Sequence, residues 1–259
     1  MSRLSGTFAR PEKKLIVYLT SGDPSEGTTV ELIQAAARAG ADVIELGIPF
    51  SDPSADGPAI QLAMQRALAG KASLRGALEV IARVRAAGEE VPIVVFGYYN
   101  PLFVHGVDRF TREAAAAGAD GLLVVDLPVD ELDELQTPAR AAGLDVIPLI
   151  APTSTPARVA RVRQVGAPFV YYISMTGVTG ATLSRPDTLA ARVAEIRQAV
   201  AAPVAVGFGI ATPADARHVA SFADAVVVGS AIVRTVESHR GGEVSAIATL
   251  VTSLKAALQ

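Results

Sequence analysis

The chain alternates short apolar runs with helical segments, and this alternation constrains its fold more than any other feature. Eight runs rich in β-branched residues span Leu15–Leu19, Val43–Leu46, Pro92–Phe96, Gly121–Val125, Asp145–Ile150, Phe169–Ile173, Val204–Phe208 and Ala225–Val228. Between them lie segments with helical spacing, among them Glu31–Ala39, Ala77–Ala87, Arg109–Ala117, Asp187–Val200 and Pro213–Ala220. The pattern predicts a single (β/α)8 barrel domain over residues 1–259. An open doubly wound sheet is the alternative, but its Gly-x-Gly-x-x-Gly turn is missing after the first strand.

Glycines mark the ends of the predicted helices. Five of them fit the position just past a helix end: Gly40, Gly88, Gly118, Gly143 and Gly166. That position takes φ > 0, which glycine adopts most freely. The phrase Ala-Gly-Ala-Asp also occurs twice, at residues 39–42 and 117–120, each time just before a predicted strand. Both features are typical of a repeated βα unit.

Two connections between predicted strands are longer than the rest. Most strand starts are about 22 to 28 residues apart, but the gap is about 50 after the second strand and about 34 after the sixth. In a barrel, the loops that follow the strands carry the active site. We therefore expect extended loops after strands 2 and 6. The first includes an added helix at Ala59–Leu68, and the second, residues 174–185, has the small, polar, glycine-rich composition of a mobile lid.

Composition excludes several classes of function. The net charge is −3, so no basic surface is available for nucleic acid and no cationic helix for a membrane surface. Cysteine is absent, which removes disulfides and thiolate metal sites. The first residues lack the apolar core of a signal peptide, and no run approaches the ~18 apolar residues of a membrane span. We expect a cytoplasmic protein.

Residues 42–58, DVIELGIPFSDPSADGP, concentrate the acids of interest. Glu45 interrupts an apolar strand that is predicted to be buried, while Asp52 and Asp56 lie on the proline-stiffened loop beyond it. An acid in a strand with others past its C-terminal end is typical of an acid/base site in a barrel enzyme. Plainer interpretations stay open: Glu45 as a supporting hydrogen-bond acceptor, Asp52 as a turn residue, and Asp56 as the N-cap of the next helix.

Other polar side chains near strand ends have simpler interpretations. Asp23 is expected to be a loop or capping residue, and Asp126 is open between that role and the site. Tyr98, Tyr99 and Tyr171 are expected to line the mouth of the barrel rather than to transfer protons.

Glycines at the ends of the last two predicted strands indicate an anion site. Gly207-Phe208-Gly209 ends the seventh strand, and Gly229-Ser230 ends the eighth and leads into a short helix. Backbone N–H groups there can converge on a phosphate, and the helix N-terminus adds its positive dipole end. Glycines that merely turn the chain are the alternative at each position, but their coincidence on strands seven and eight favours phosphate.

The types of residue that the chain lacks narrow the chemistry. None of its four lysines lies at the C-terminal end of a predicted strand, which argues against a Schiff-base aldolase. Its three histidines are far apart in sequence and have no cluster of carboxylates beside them, so no metal site is predicted. Carboxylates, hydroxyls and a phosphate cradle remain, and these suit proton transfer on a phosphorylated metabolite.

The chain resembles the tryptophan synthase alpha subunit family. The most specific match is residues 45–53, ELGIPFSDP, continuing to Ala55-Asp56-Gly57-Pro58. Weaker matches extend along nearly the whole chain, at residues 22–24, 98–100, 126–128, 177–180, 207–210 and 229–230. Ser54 is a departure, because the family usually has an aliphatic residue or tyrosine there.

The resemblance implies a reaction and roles for residues. The reaction is metal-free retro-aldol cleavage of indole-3-glycerol phosphate to indole and glyceraldehyde 3-phosphate. Glu45 matches the general acid/base of the family, and Asp56 matches the carboxylate that stabilises the cation at the indole N–H. The remaining matches are Gly180, Gly209, Gly229 and Ser230 as phosphate contacts, Tyr171 and Thr179 as supporting residues, and Phe208 in the indole pocket.

The resemblance also implies a partner. Members of the family dock onto a beta subunit in an α2β2 complex, and that subunit alone carries pyridoxal phosphate, so no cofactor is expected in this chain. Two other classes of function stay open on the residues alone. A metal-free phosphosugar isomerase would keep the phosphate cradle but release no indole, and a non-catalytic scaffold would show no turnover.

Overall fold

The computed structural model describes residues 2–173, 186–207 and 209–259, in which parallel strands alternate with helices. The strands are β1 (Lys14–Thr20), β2 (Val43–Gly47), β3 (Ile93–Gly97), β4 (Gly121–Val124), β5 (Asp145–Val146), β6 (Leu149–Ile150), β7 (Val170–Ile173), β8 (Val204–Gly207) and β9 (Ala225–Val228). The helices are α1 (Arg3–Phe8), α2 (Glu26–Arg38), α3 (Pro58–Ala69), α4 (Leu74–Ala86), α5 (Tyr99–His105), α6 (Val107–Ala117), α7 (Asp133–Ala141), α8 (Pro156–Val162), α9 (Pro186–Val200), α10 (Pro213–Ala220), α11 (Ser230–Ser238) and α12 (Glu243–Ala256). Among these helices, none combines the length and apolarity that a membrane crossing requires.

The strands form one parallel sheet that closes on itself. Their order is β5-β4-β3-β2-β1-β9-β8-β7-β6, and only Ile147 and Pro148 separate β5 from β6 in the chain. The two edges of the sheet therefore belong to one segment, which pairs with β4 through its first half and with β7 through its second. The predicted fifth strand is split because Pro148 has no N–H to donate to a ladder. With the two halves counted together, the architecture is the predicted (β/α)8 barrel.

Alternate residues of each strand face the two sides of the barrel wall. On β2, Ile44 and Leu46 pack in the layer between strands and helices, whereas Val43 packs in the barrel interior with Ile16 and Tyr18 of β1. Because side chains alternate along a strand, Glu45 shares the interior face with Val43. The acid that is anomalous in the sequence is therefore the one side chain in the middle of β2 that points into the barrel.

Helix α1, which the sequence pattern does not predict, covers the N-terminal end of the barrel. Leu4 is fully buried in the interior cluster, and the ring of Phe8 stacks on that of Phe169 at 4.5 Å. A Cβ on Gly121 would lie 2.9 Å from Leu4, so glycine at the start of β4 makes room for the helix. This end of the barrel is filled with apolar side chains, which leaves the opposite end for a site.

The aspartate of the repeated Ala-Gly-Ala-Asp phrase lies at the same N-terminal end of the barrel. Its carboxylate accepts a hydrogen bond from a backbone N–H near the start of a neighbouring strand and binds a basic side chain. The sets are Asp42 with Leu15 and Lys255, Asp120 with Ile93 and Arg85, and, outside the phrase, Asp224 with Val204 and Arg197. The repeat is therefore a structural device that satisfies strand N–H groups away from the site.

Most sequence predictions of local structure are confirmed. The five predicted helix-ending glycines all have positive φ, between 67° and 106°. The added helix after strand 2 is present as α3, and predicted strand and helix positions agree with the structure to within a few residues at most ends. Helix α5 is an element that the pattern misses, because Asn100-Pro101 looks like a turn. The predicted lid, residues 174–185, lies outside the described residues.

Candidate active site

Glu45 lies inside the barrel and is almost completely buried. It is 1% exposed, and its Cα is in register with Tyr18 on β1 and Val94 on β3. Its Oε1 has no hydrogen-bond partner among the described residues. Burial raises the pKa of the Glu45 carboxyl from 4.5 to about 8, since a charge is poorly solvated there. A carboxyl that is buried and protonated at neutral pH can donate a proton to a bound molecule.

Asp56 is the second buried carboxylate, and its side chain and its backbone carbonyl each accept a hydrogen bond. It is 9% exposed; the hydroxyl of Tyr98 donates a hydrogen bond to Oδ2 at 2.6 Å, and Gln61 Nε2 donates to its backbone carbonyl at 2.8 Å. Burial raises the pKa of Asp56 to about 6, and the hydrogen bond from Tyr98 lowers it. Asp56 is not the N-cap of α3, since Gly57 holds that position without a side-chain cap. The capping interpretation is wrong.

We name the loop between Gly47 and α3 loop 2. Its two aspartates lie in different environments, one buried and one exposed. Asp52 is exposed; it accepts a hydrogen bond from the Ser51 hydroxyl, and its carbonyl accepts one from the N–H of Ser54. Asp52 is therefore the turn residue of the plainer interpretation. Ser54 is exposed as well, so its departure from the family pattern does not disturb buried packing.

Two tyrosines face both carboxylates, and glycines make room for them. A Cβ on Gly47 would overlap the hydroxyl of Tyr18, and one on Gly207 would overlap that of Tyr171. Burial raises the pKa of each tyrosine well above its ordinary value, and the negative charges of Glu45 and Asp56 raise it further. Both hydroxyls therefore stay protonated and are neutral hydrogen-bonding groups in the site. The sequence predicts Tyr171 near the barrel mouth, and the structure places it within β7, packed against the interior cluster.

The structure also shows residues of the site that sequence reasoning missed. The sequence pattern does not distinguish Tyr18, and it places Tyr98 only at the mouth of the barrel. The available signal for Tyr18 was its position in β1, because it alternates with Ile16 on the interior face. No sequence signal connects Tyr98 with Asp56, since the two are 42 residues apart and meet only through the path of loop 2.

The predicted phosphate contacts lie partly within the described residues. Gly229 is the N-cap of α11 and Ser230 its first residue; a Cβ on Gly229 would lie 3.6 Å from Cβ of Tyr18, which places this helix start beside β1. Gly209, with φ of 77°, follows β8. Gly180, Thr179 and Phe208 lie outside the described residues.

Asp23 and Asp126 have structural partners. Asp23 is buried and binds Arg66 of α3 and Arg240, each at 2.7 Å, so it ties the first loop to α3 and to the connection between α11 and α12. Asp126 accepts a hydrogen bond from the N–H of Tyr99 at 2.7 Å. Both contacts agree with the plainer interpretation of these acids.

A surface cleft that the described residues form lies away from this site. A cleft of about 650 Å³ lies between α2 and the start of α12, lined by Glu31, Arg38 and Glu243 among others, and none of the predicted site residues borders it. In the part of the chain that the structure describes, no group of three or more histidines and acids could hold a metal ion. We locate the candidate site by the two buried carboxylates rather than by the size of a cleft.

Comparisons with known proteins identify the family. The family model described as tryptophan synthase alpha chain matches residues 4–259. The alpha chain of Geobacter sp. (strain M21) is 51% identical over 94% of this chain and 92% of its own length, and that of Geobacter sulfurreducens is 48% identical over 100% and 99%.

Solved structures agree with the sequence comparisons. Tryptophan synthase subunit alpha from Legionella pneumophila has a TM-score of 0.91 at 37% identity, covering 100% of this chain and 98% of its own. A chain of tryptophan synthase from M. tuberculosis has a TM-score of 0.88 at 34% identity, with 100% of both chains covered. The chain therefore belongs to the tryptophan synthase alpha chain family and is a lyase that cleaves indole-3-glycerol phosphate to indole and glyceraldehyde 3-phosphate.

Proposed function

We propose that Glu45 and Asp56 have different roles in this cleavage: Glu45 is the acid that transfers protons, and Asp56 is the anion that stabilises positive charge. The observation that carries the proposal is that two carboxyls at one end of the barrel have different environments. The pKa of Glu45 is raised to about 8 and that of Asp56 only to about 6. Near pH 7 the first is therefore protonated and the second ionised. Two carboxyls separated in this way can take opposite roles in one reaction.

Glu45 transfers the protons. Its carboxyl donates a proton to C3 of the indole ring, which moves positive charge onto the ring nitrogen and makes the ring an electron sink. The resulting carboxylate then takes the proton of the glycerol hydroxyl next to the ring. The bond between C3 and the glycerol carbon breaks, its electron pair neutralises the cation, and the hydroxyl carbon becomes the aldehyde. Glu45 ends the cycle protonated, as it began.

Asp56 stabilises the cation. An ionised carboxylate that accepts a hydrogen bond from the indole N–H favours the form in which that nitrogen is positive. Because burial excludes water from around Asp56, its charge acts through a medium of low polarity, where it has a larger effect than in water.

The other end of the substrate is proposed to lie at the end of strands β8 and β9. The N–H groups of Gly209, Gly229 and Ser230 and the N-terminus of α11 suit a phosphate. Gly180 is proposed as a further contact, Tyr171 and Thr179 as supporting residues, and Phe208 as part of the indole pocket. The residues of this chain supply the whole reaction in this scheme, without metal or cofactor, and pyridoxal phosphate belongs to the beta subunit.

The partner of an alpha chain is a beta subunit, and we propose that it binds beside loop 2 in an α2β2 complex. Ser51, Asp52 and Ser54 are exposed on the loop, and α5 next to it exposes Phe103 (65%) and Val104 (77%). We call these five residues the loop-2 face. Two consecutive apolar side chains that stay this exposed suit a protein-binding surface. The face is connected to Asp56 through the same loop, so docking can adjust the carboxylate.

Indole release by the purified chain tests the proposed roles. Glu45→Gln keeps the shape of the side chain but removes the transferable proton, so we expect the rate to fall at least ~10²-fold. Asp52→Asn is the matched control, because Asp52 is exposed and outside the site, and its rate should equal that of the unmodified chain. Near-normal release by Glu45→Gln would reduce Glu45 to a supporting role, and turnover of a phosphosugar without indole would favour the isomerase.

A further inference from the structure

Tyr98 contacts loop 2 at three points. It is buried directly after β3, and α5 begins with the next residue. Its ring stacks on that of Phe50, with centroids 5.1 Å apart. Its hydroxyl accepts a hydrogen bond from the N–H of Ala55 at 3.0 Å and donates one to Asp56 Oδ2 at 2.6 Å. One side chain on the rigid barrel thus binds the start of the loop, its end and the carboxylate that the loop carries.

Within the described part of the chain, Tyr98 is the one side chain that hydrogen-bonds the carboxylate of Asp56. The contact from Gln61 reaches the backbone carbonyl of Asp56 and leaves the carboxylate free to rotate. No ion pair involves Asp56 among the same residues. The orientation of the carboxylate therefore depends on a single hydroxyl, which comes from a different βα unit.

We infer that Tyr98 is the positioning residue for Asp56: its hydroxyl orients the carboxylate toward the indole N–H and fixes the end of loop 2 through Ala55. The inference rests on the role proposed for Asp56. A hydroxyl can accept from the Ala55 N–H and donate to Asp56 at the same time, which the side chain of phenylalanine cannot do. A displacement of about 1 Å of a catalytic group can cost ~10²-fold in rate, so loss of this hydroxyl should lower the rate of cleavage strongly.

The hydroxyl of Tyr98 also affects the ionisation of Asp56. The charge of Asp56 raises the pKa of Tyr18 on β1, of Tyr98 at the end of β3 and of Tyr171 on β7. The charge of Glu45 on β2 reaches Tyr18 and Tyr171, and the charge of Asp126 reaches Tyr98. Burial raises the pKa of Asp56, and the hydrogen bond from Tyr98 opposes that rise. A donor that bonds the ionised form favours it, so loss of the hydroxyl should leave Asp56 protonated at higher pH.

Tyr98→Phe tests the inference, because it keeps the ring that stacks on Phe50 and removes both hydrogen bonds. We expect kcat for indole release to fall ~10- to 10²-fold with little change in KM, since the phosphate end is not altered. We also expect the acid limb of the plot of kcat/KM against pH to move to higher pH. Tyr99→Phe is the matched control: its hydroxyl donates to Glu134 at 2.7 Å on the surface, so neither kcat nor the limb should change.

The pH profile and two further measurements separate positioning from loss of fold. A variant that is only less stable loses activity at every pH without moving the limb. Replacing Tyr98 with 3-fluorotyrosine keeps both hydrogen bonds and makes the hydroxyl a stronger donor, so the limb should move to lower pH. In an Asp56→Asn background, Tyr98→Phe should cause little additional loss, because the two residues act as a unit.

The outcomes distinguish this inference from the proposed function beneath it. If Asp56→Asn cleaves the substrate normally, the role of Asp56 fails and the inference fails with it. If Asp56→Asn is impaired but neither Tyr98→Phe nor 3-fluorotyrosine moves the acid limb, the role of Asp56 stands and the positioning role of Tyr98 is overturned.

Discussion

Burial of the Glu45 carboxyl makes the fold less stable, but it also gives the carboxyl the raised pKa that its proposed role requires. In the unfolded chain its carboxyl titrates near 4.5, and in the barrel burial raises the pKa to about 8. A raised pKa means that the native state releases its proton later than the unfolded state does. The contribution of the protonated carboxyl to the free energy of unfolding is complete below about pH 4.5 and is lost as the pH rises toward 8.

Glu45→Gln should remove this loss. The amide cannot ionise, so the free energy of unfolding of the variant should exceed that of the unmodified chain by an amount that grows from pH 4.5 to 8, to the order of 4 kcal/mol. Urea denaturation at several pH values measures the difference. A constant difference across that range would contradict the burial of an ionisable carboxyl at this position, whatever the effect on catalysis.

Among the elements, α11 is the one whose start is proposed to hold the phosphate. Gly229→Asp would place a negative side chain at that N-terminus, where it repels phosphate and occupies its position. Its added Cβ finds ordinary contacts, 3.5 Å from Ile60 and 3.6 Å from Tyr18, so the fold should tolerate the change. We expect KM to rise at least ~10-fold and inhibition by glycerol phosphate to weaken equally. Unchanged inhibition would move the anion site elsewhere.

The acids at the N-terminal ends of the strands should affect stability alone. Asp120→Asn leaves Arg85 without its buried charge partner, and breaking such a pair typically costs about 3–5 kcal/mol. Thermal denaturation should show a lower Tm, while kcat at 25 °C stays the same because the site lies at the other end of the barrel. Asp130→Asn is the control, since Asp130 pairs with Arg158 and Arg161 on the surface, where ion pairs contribute little. Equal shifts of Tm in both variants would refute the structural role of Asp120.

At the scale of the whole molecule, the loop-2 face should couple a partner to the rate. Phe103→Ser and Asp52→Ala should weaken the acceleration of indole release by added beta subunit, because each removes part of the exposed surface, and should leave the rate of the isolated chain unchanged. A titration of cleavage rate against beta subunit, with sedimentation of the mixture, measures both effects. A flat titration without a complex would leave the chain as an autonomous lyase.

The sequence predicts the barrel well because its determinants are local. Strand runs, helical spacing and helix-ending glycines such as Gly88 and Gly118 each depend on a few neighbouring residues. Glu45 can also be recognised from its neighbours in sequence, since a single acid in an apolar strand is anomalous. Pro148 splits a strand that periodicity joins, and this split becomes visible only when its two halves pair with different neighbours.

The environment of the site is less predictable because it is made by contacts distant in sequence. The pattern places Asp56 on a loop but cannot tell an N-cap from a buried carboxylate, which depends on where Tyr98 meets the loop. It also cannot show that Gly47 and Gly207 make room for tyrosine hydroxyls on neighbouring strands. Both facts follow from contacts between neighbouring βα units rather than from any short segment.

The dependence of kcat/KM on pH tests the central claim most directly, because it reports the two carboxyls of the free enzyme together. Indole release should follow a bell-shaped curve, falling below about pH 6 as Asp56 gains a proton and above about pH 8 as Glu45 loses one. The acid limb should disappear from the residual activity of Asp56→Asn. A curve that is flat from pH 5 to 9 in the unmodified chain, or an acid limb that stays in place in Asp56→Asn, would contradict the assignment of these two residues.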